Sequence, residues 1–249
     1  MPAGTRNHFT LDLGLDRADV VGALDAFDAA LERRIDLGLI GDRVFVNNAS
    51  LGVYATVVQS EGYRDAKLAT AAHRAPDLLG SGGQRADLRF CGPDGSSARP
   101  ADVVLVSNGA YRLAGLNGAG TRARVDAGVL GVVTVTVERA LDVPELMAAQ
   151  ATGRLHGFRG YQEWTTQEFI VDSDQPLVEV GIDGEALRLE PPLRFRVVPG
   201  GLRVRVPVNA PGAAPAAMAP AGPVEAVAGV LRVLGGRSAR VKSHETRGV

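Results

Sequence analysis

Apolar and polar positions change rhythm several times along this chain, and each change predicts a different element. Leu11, Leu13 and Leu15, then Val20, Val21, Leu24, Phe27 and Leu31, recur at helical intervals. With Asp16 or Asp19 placed to cap, the spacing predicts helices over 7–14 and 18–31. From Arg34 the period falls to two. Ile35, Leu37 and Leu39 precede Gly41-Asp42, and Val44, Phe45 and Val46 follow it, which is a hairpin pattern. Residues 53–79 return to helical composition, end near Pro76 and give way to the break Gly80-Ser81-Gly82-Gly83. Strands are predicted at Leu88-Arg89-Phe90, Val103 to Val106 and Val129 to Val137, with a turn at Pro93-Asp94-Gly95. An amphipathic helix is predicted over 142–152 behind an Asp142 cap. Short strands then follow at 164–171, 177–182, 186–190, 193–198 and 202–206, with a second tight turn at Asp183-Gly184. Runs of short strands broken by a few helices predict an α+β fold built on a mostly antiparallel β-sandwich. Residues 209–223, nearly all Ala, Pro and Gly, read as a linker. Beyond them Val224, Val227, Val230, Leu231 and Leu234 share one helical face ahead of Arg237, Arg240 and Lys242.

Composition narrows the function classes. The chain has 249 residues, 45% hydrophobic and 22% charged, enough for an ordinary core without metals or disulfides. Its net charge of −1 removes the field that draws proteins to nucleic acid. That near-neutrality divides into an acidic body and a basic tail, with 22 basic and 26 acidic residues up to position 207. The tail could rest on an anionic membrane. Lys67 and Lys242 are the only lysines, so nearly every cation is a guanidinium. One cysteine, Cys91, excludes an internal disulfide framework, and His8, His73, His156 and His244 lack metal-ligand spacing. No apolar run reaches the length of a membrane span and no signal peptide opens the chain, so a cytoplasmic protein, peripheral to the membrane at most, is expected.

Two constellations carry candidate chemistry. Gly4-Thr5-Arg6-Asn7 puts a glycine, a hydroxyl and an amide before a helix, where free backbone N–H groups favour a phosphate; a plain helix cap is the simpler reading. Asp183-Gly184-Glu185 offers two carboxylates on one hairpin, one to act as a base and one to tune it or hold a metal; a structural turn is the simpler reading here too. Three other patterns fall short. Gly115 to Gly120 lacks the P-loop lysine, Asn48-Ala49-Ser50-Leu51-Gly52 lacks the first glycine of a nucleophile elbow, and nothing fixes Asp36 or Asp42 against Glu32 as a glycosidase pair.

Taken in order, several segments resemble the diacylglycerol kinase catalytic superfamily, which includes bacterial lipid kinases and sphingosine kinases. Pro2-Ala3-Gly4-Thr5-Arg6-Asn7-His8-Phe9 resembles its P-x-GT-x-N segment. Ile35-Asp36-Leu37-Gly38 with Arg43 to Gly52 resembles its IDLG hairpin, and Val106-Ser107-Asn108-Gly109-Ala110-Tyr111 a strand end. Val125-Asp126-Ala127-Gly128-Val129-Leu130 resembles its LDDGLLD strand, and Ile182-Asp183-Gly184-Glu185 its DGE hairpin. The resemblance spans about residues 2 to 206.

It implies γ-phosphoryl transfer from ATP with Mg2+ to the hydroxyl of a diacylglycerol-like lipid. It also implies transient contact with a membrane surface, no nucleic acid partner, and a homodimer among the assemblies open to the chain. Thr5, with Gly4 and Asn7, would meet the nucleotide phosphates. Glu185 would be the base and Asp183 the organiser of metal and water, with the reverse assignment open. The family's Gly-Gly-Asp-Gly-Thr nucleotide loop precedes the GT-x-N segment, and no copy occurs here. The family's metal-binding aspartate falls at Ala127, leaving Asp126 as the candidate ligand. Residues 1–31 are thus expected to be remnant helices of the nucleotide lobe, 32–207 the β-sandwich domain, and 208–249 a linker and basic tail. Two functions stay open: a lipid kinase that needs the first lobe, and an inactive lipid-binding or regulatory descendant.

Overall fold

The computed structural model describes residues 8–16, 19–28, 30–52, 87–95, 101–112, 121–122, 124–139, 142–152 and 154–208. Twelve strands carry the fold among these residues, and alternation of apolar and polar side chains explains how they layer. Strands β1 (Ala30–Ile40), β2 (Arg43–Phe45), β9 (Glu168–Val171) and β12 (Leu193–Pro207) form a four-stranded antiparallel sheet in the order β2-β1-β12-β9. A six-stranded antiparallel sheet has the order β11 (Glu185–Leu189), β10 (Val178–Ile182), β3 (Asn48–Gly52), β4 (Val103–Asn108), β7 (Leu130–Val135) and β8 (Tyr161–Thr166). β5 (Tyr111–Arg112) and β6 (Thr121–Arg122) pair separately.

The inward faces of the two large sheets close one core. Ile40, Phe45, Phe169 and Phe195 from the first sheet meet Leu51, Val104, Val106, Val132 and Val180 from the second. This is the α+β architecture with a mostly antiparallel sandwich that the pattern predicts. The chain changes sheets twice over very short distances. Val46 and Asn47 alone separate β2 from β3, and Gln167 alone separates β8 from β9.

Several elements differ from the sequence expectation. The helices expected over 7–14 and 18–31 are a short α1, His8–Asp12, and a 3-10 helix, Gly22–Phe27, while Ala30 already opens β1. Strand pairing wins there because β12 lies alongside β1 from Ala30 to Ile40. The strands expected at 193–198 and 202–206 are one strand, since β1 pairs on both sides of Pro199-Gly200-Gly201 with a register shift between Ile35 and Leu37. The single strand expected over 164–171 divides at Gln167 into β8 and β9 of different sheets. Arg89 makes only an isolated bridge to Asp172.

Helix α2, Asp142–Ala151, covers 142–152 as expected. The Asp142 carboxylate, however, turns back to accept the N–H groups of Glu138 and Arg139. Leu146 and Ala149 of this helix pack with Leu155, Phe158 and Val133. The helical pattern of 53–79 and the tail from 209 lie outside the described residues. No helix among the described residues is long and apolar enough to cross a membrane.

Candidate active site

β10 and β11 enclose the two-residue turn Asp183-Gly184, both at positive φ, +48° and +97°. That mirror-image turn matches the twist of the strands, and glycine and aspartate tolerate it. The Asp183 side chain does not point idly into solvent. Its Oδ2 accepts the Val46 N–H at 2.8 Å, and its Oδ1 accepts those of Asn47 at 2.8 Å and Asn48 at 3.1 Å. Three successive N–H groups converging on one carboxylate form a fixed cradle for negative charge. Asp183 also donates its own N–H to the Asn48 carbonyl at 2.9 Å. Glu185 differs. It opens β11 opposite Ile182, is exposed, and among the described residues engages no hydrogen-bond or ion-pair partner.

The cradle is braced from below by a buried arginine. Arg122 sits at 1% exposure and Asp12 at 5%. The guanidinium Nη1 donates to the Val46 carbonyl at 2.6 Å and the Asn108 carbonyl at 2.9 Å. Its Nη2 reaches Asn47 Oδ1 at 3.2 Å and also bonds Asp12 Oδ2, while Nε donates to that same oxygen at 2.8 Å. So α1 is tied through Arg122 to the crossing that holds Asp183.

Asn108 Nδ2 donates to the Asp36 carbonyl at 2.7 Å. Asn108 Oδ1 is the one buried side-chain polar atom without a partner among the described residues. Asn48 Nδ2 meets Tyr111 Oη at 3.3 Å. The Arg122 guanidinium lies 5.9 Å from the Tyr111 ring centroid, within cation–π reach. Burial pushes the Tyr111 hydroxyl above the ordinary tyrosine range, against the opposing pull of the Arg122 charge.

The IDLG segment now has a physical account. The Asp36 carboxylate accepts the Gly128 N–H at 2.6 Å and the Gly200 N–H at 2.8 Å, pinning the segment before β7 and the middle of β12 to β1. Gly38 lies under the Phe45 ring, where an added Cβ would come within 2.2 Å of ring carbons. Only a residue without a side chain fits there. Asp36 is therefore committed to the backbone, and Glu32 faces Arg203 at 3.8 Å, so the two do not converge as a catalytic pair.

Asp126 is 43% exposed and accepts the Arg124 Nε–H at 3.0 Å. Among the described residues no three His, Cys, Asp or Glu side chains gather as a metal site. The Asp126 carboxylate is thus shared with a guanidinium and stands next to Ala127. Gly4, Thr5 and Asn7 lie outside the described residues, directly ahead of α1. Sequence reasoning missed Asp12 and Arg122. They stand 110 positions apart, and only Arg122 adjoined a segment considered for chemistry, the glycine-rich 115–120.

No family model matches the chain. Among characterised sequences it is similar to "Probable lipid kinase YegS-like" of Pseudomonas aeruginosa strain UCBPP-PA14, 30% identical over 218 residues. The match takes in 85% of this chain and 68% of the relative. The protein of the same description from Pseudomonas syringae pv. tomato DC3000 is 29% identical over 222 residues, with the same coverage. Among solved structures, one described as "a putative diacylglycerol kinase from Bacillus anthracis str. Sterne" aligns with a TM-score of 0.60 at 16% identity, over 83% of this chain and 67% of that one. A second structure from that source gives 0.51 at 13%, over 83% and 65%. At such identities the structures speak for the fold, and the sequence relatives for the family.

Proposed function

Because the chain belongs to the YegS-like lipid kinase family, we propose that it provides the acceptor side of an ATP-dependent kinase acting on a diacylglycerol-like lipid, and that Glu185 is its general base. The observation that carries the assignment is the unequal commitment of two neighbouring carboxylates. Asp183 is held by three backbone N–H groups, whereas Glu185, two residues on, is unengaged and exposed among the described residues. A group that must take a proton from a substrate hydroxyl needs a free oxygen within hydrogen-bond reach of it. Asp183 then acts as a positioning residue that fixes the hairpin against the β2–β3 crossing. The N–H groups of that crossing spread its charge.

In this reading magnesium arrives with ATP as part of the substrate, and Gly4, Thr5 and Asn7 hold nucleotide phosphates ahead of α1. The nucleotide loop Gly-Gly-Asp-Gly-Thr belongs to a first lobe acting together with residues 1–31, while residues 32–207 form the sandwich and 208–249 a linker and tail. The lipid substrate places the protein at a membrane surface during turnover.

The test is phosphoryl transfer from labelled ATP to diacylglycerol in neutral detergent micelles, with the chain joined to a first lobe bearing that loop. Glu185→Gln should lower kcat by about 10²–10⁴-fold while leaving the thermal midpoint unchanged. Asp183→Asn should lower both activity and the midpoint. A Glu185→Gln enzyme with normal kcat overturns the assignment, and lipid binding with no ATP binding in the joined protein overturns the kinase reading.

A further inference from the structure

Most of the large apolar side chains left exposed among the described residues gather at one end of the β1–β12 ladder: Val20, Val21, Leu24, Phe27, Leu31 and Val208. The 3-10 helix explains the concentration. At three residues per turn, side chains three apart eclipse one another, so Val21, Leu24 and Phe27 form one row along it. Their exposures are 75%, 44% and 73%, whereas Ala23, on another face, is 5% exposed. Strand register fixes where the row lies. The carbonyl of Asp28, the residue after Phe27, accepts from the Arg205 guanidinium at 3.3 Å, Ala30 pairs with Pro207, and Leu31 pairs with Val206. Val208 therefore leaves β12 beside the end of the row.

A contiguous apolar row of this kind marks an interaction surface, and its surroundings discriminate among occupants. The sequence from Asp19 to Glu32 holds Asp19, Asp25, Asp28 and Glu32 and no lysine or arginine. Glu32 faces Arg203 at 3.8 Å, while the three aspartates stand exposed on and beside the helix. An anionic bilayer brought against the row would meet them with like charge. A second copy docked about a twofold axis would set them against themselves. The fitting occupant is apolar along one side and cationic beyond it.

The C-terminal segment of the same chain has that composition. Val224, Val227, Val230, Leu231 and Leu234 recur at helical spacing, and Arg237, Arg240 and Lys242 follow. A helical stripe from Val224 to Leu234 measures about 15 Å at ~1.5 Å per residue. The row from Val21 to Phe27 measures about 12 Å at ~2.0 Å per residue, a matching length. The Ala, Pro and Gly stretch 209–223 begins right after Val208 and by its composition spans about 20 Å as a coil and about 45 Å when extended. The segment is thus tethered within reach of the row.

We propose that residues 224–242 dock in cis on the 3-10 helix, their apolar stripe covering Val21, Leu24 and Phe27 and their cations meeting Asp19, Asp25 and Asp28. The inference stands apart from the kinase reading and uses no residue of the candidate site.

The experiment is the rate of disulfide closure in the full chain, with the exposed Cys91 replaced by serine. Leu24→Cys is paired with Leu231→Cys. For comparison Val44→Cys, 52% exposed and about 30 Å from Ala30 along β1 at ~3.3 Å per residue, is paired with the same Leu231→Cys. The linker alone gives both pairs an effective concentration in the millimolar range, so docking is read as the excess, and the Leu24 pair should close about tenfold faster. Adding Val21→Ser/Phe27→Ser should bring the Leu24 pair down to the rate of the Val44 pair. Val227→Ser/Leu234→Ser should do the same without touching the sandwich, which guards against misfolding.

Equal rates for the two parent pairs overturn the proposal, as does a Leu24 pair that neither double variant slows. Disulfides that link two molecules faster than they close within one would make a second copy the occupant. Closure suppressed by phosphatidylglycerol vesicles would give the row or the tail to a bilayer. Either result overturns docking in cis.

Discussion

Replacing Asp12 with alanine should be among the most damaging single changes in the protein, though the residue lies on a five-residue helix near the start of the described chain. The side chains of Arg122 and Asp12 are 0% and 1% exposed, so removing the carboxylate leaves a guanidinium with no counter-charge in a medium that solvates it poorly. Breaking a buried pair in this way costs about 3–5 kcal/mol. Against a typical total of about 5–15 kcal/mol that is a large share, and it corresponds to a fall of roughly 6–20 °C in the midpoint for a chain of this size. Arg122→Met should cost a similar amount for a different reason. It strands the Val46 and Asn108 carbonyls and Asn47 Oδ1, as well as the Asp12 carboxylate. Combining Asp12→Ala with Arg122→Met removes both charges, so the double variant should lose about 2–3 kcal/mol less than the sum of the singles. It should not recover fully, because the stranded acceptors remain at about 1–3 kcal/mol each. Arg122→Lys should recover little, since an ammonium lacks the planar fork that reaches four acceptors at once. Urea unfolding of all four proteins, read by circular dichroism, measures the cycle. Additive losses would show that the two side chains do not act as a buried pair.

Further predictions concern packing and pH. Gly38→Ala should cost about 1–3 kcal/mol by driving a methyl group into the Phe45 ring, and Phe45→Leu in the same chain should return part of the loss; paired thermal melts read both. The Asp142 carboxyl is held below the ordinary range, first by the Arg139 N–H and then by Arg159. Its contribution is therefore present above about pH 4 and lost as pH falls through the lower folded value, and Asp142→Asn should flatten that stretch of an acid-unfolding curve. Burial raises the Tyr111 hydroxyl, and burial with the Glu163 hydrogen bond raises that of Tyr161, so both should ionise late in an alkaline titration followed at the phenolate absorbance. Because the folded state keeps those protons longer, stability should fall as pH rises past about 10, and Tyr161→Phe should remove its share of that slope.

Much of the sandwich was legible because its strands alternate and its turns are chemically marked. Gly41-Asp42 and Asp183-Gly184 fall between β1 and β2 and between β10 and β11 as read. What escaped reading depends on partners distant in sequence. Leu31 looks helical by spacing, yet it lies in β1 because Val206 stands beside it. Pro199-Gly200-Gly201 has the composition of a break, but β12 continues because Asp36 grips the Gly200 N–H and β1 resumes pairing beyond. The family could be recognised from the order of its motifs, and the relatives at 30% identity bear out the lipid kinase superfamily. The motifs did not reveal how they meet. Asp183 has no local partner for its carboxylate, and Arg122 is bound to an aspartate that nothing nearby in sequence announces.

The two sheet crossings bear on how the protein folds and fails. With Gln167 alone between β8 and β9, and Val46 with Asn47 alone between β2 and β3, the sheets are stitched together at separate seams. The longest ladder, β1 with β12, also waits for chain ends about 160 residues apart to meet. Assembly should therefore be slow. A proteolytic cut at either seam should release both sheets together.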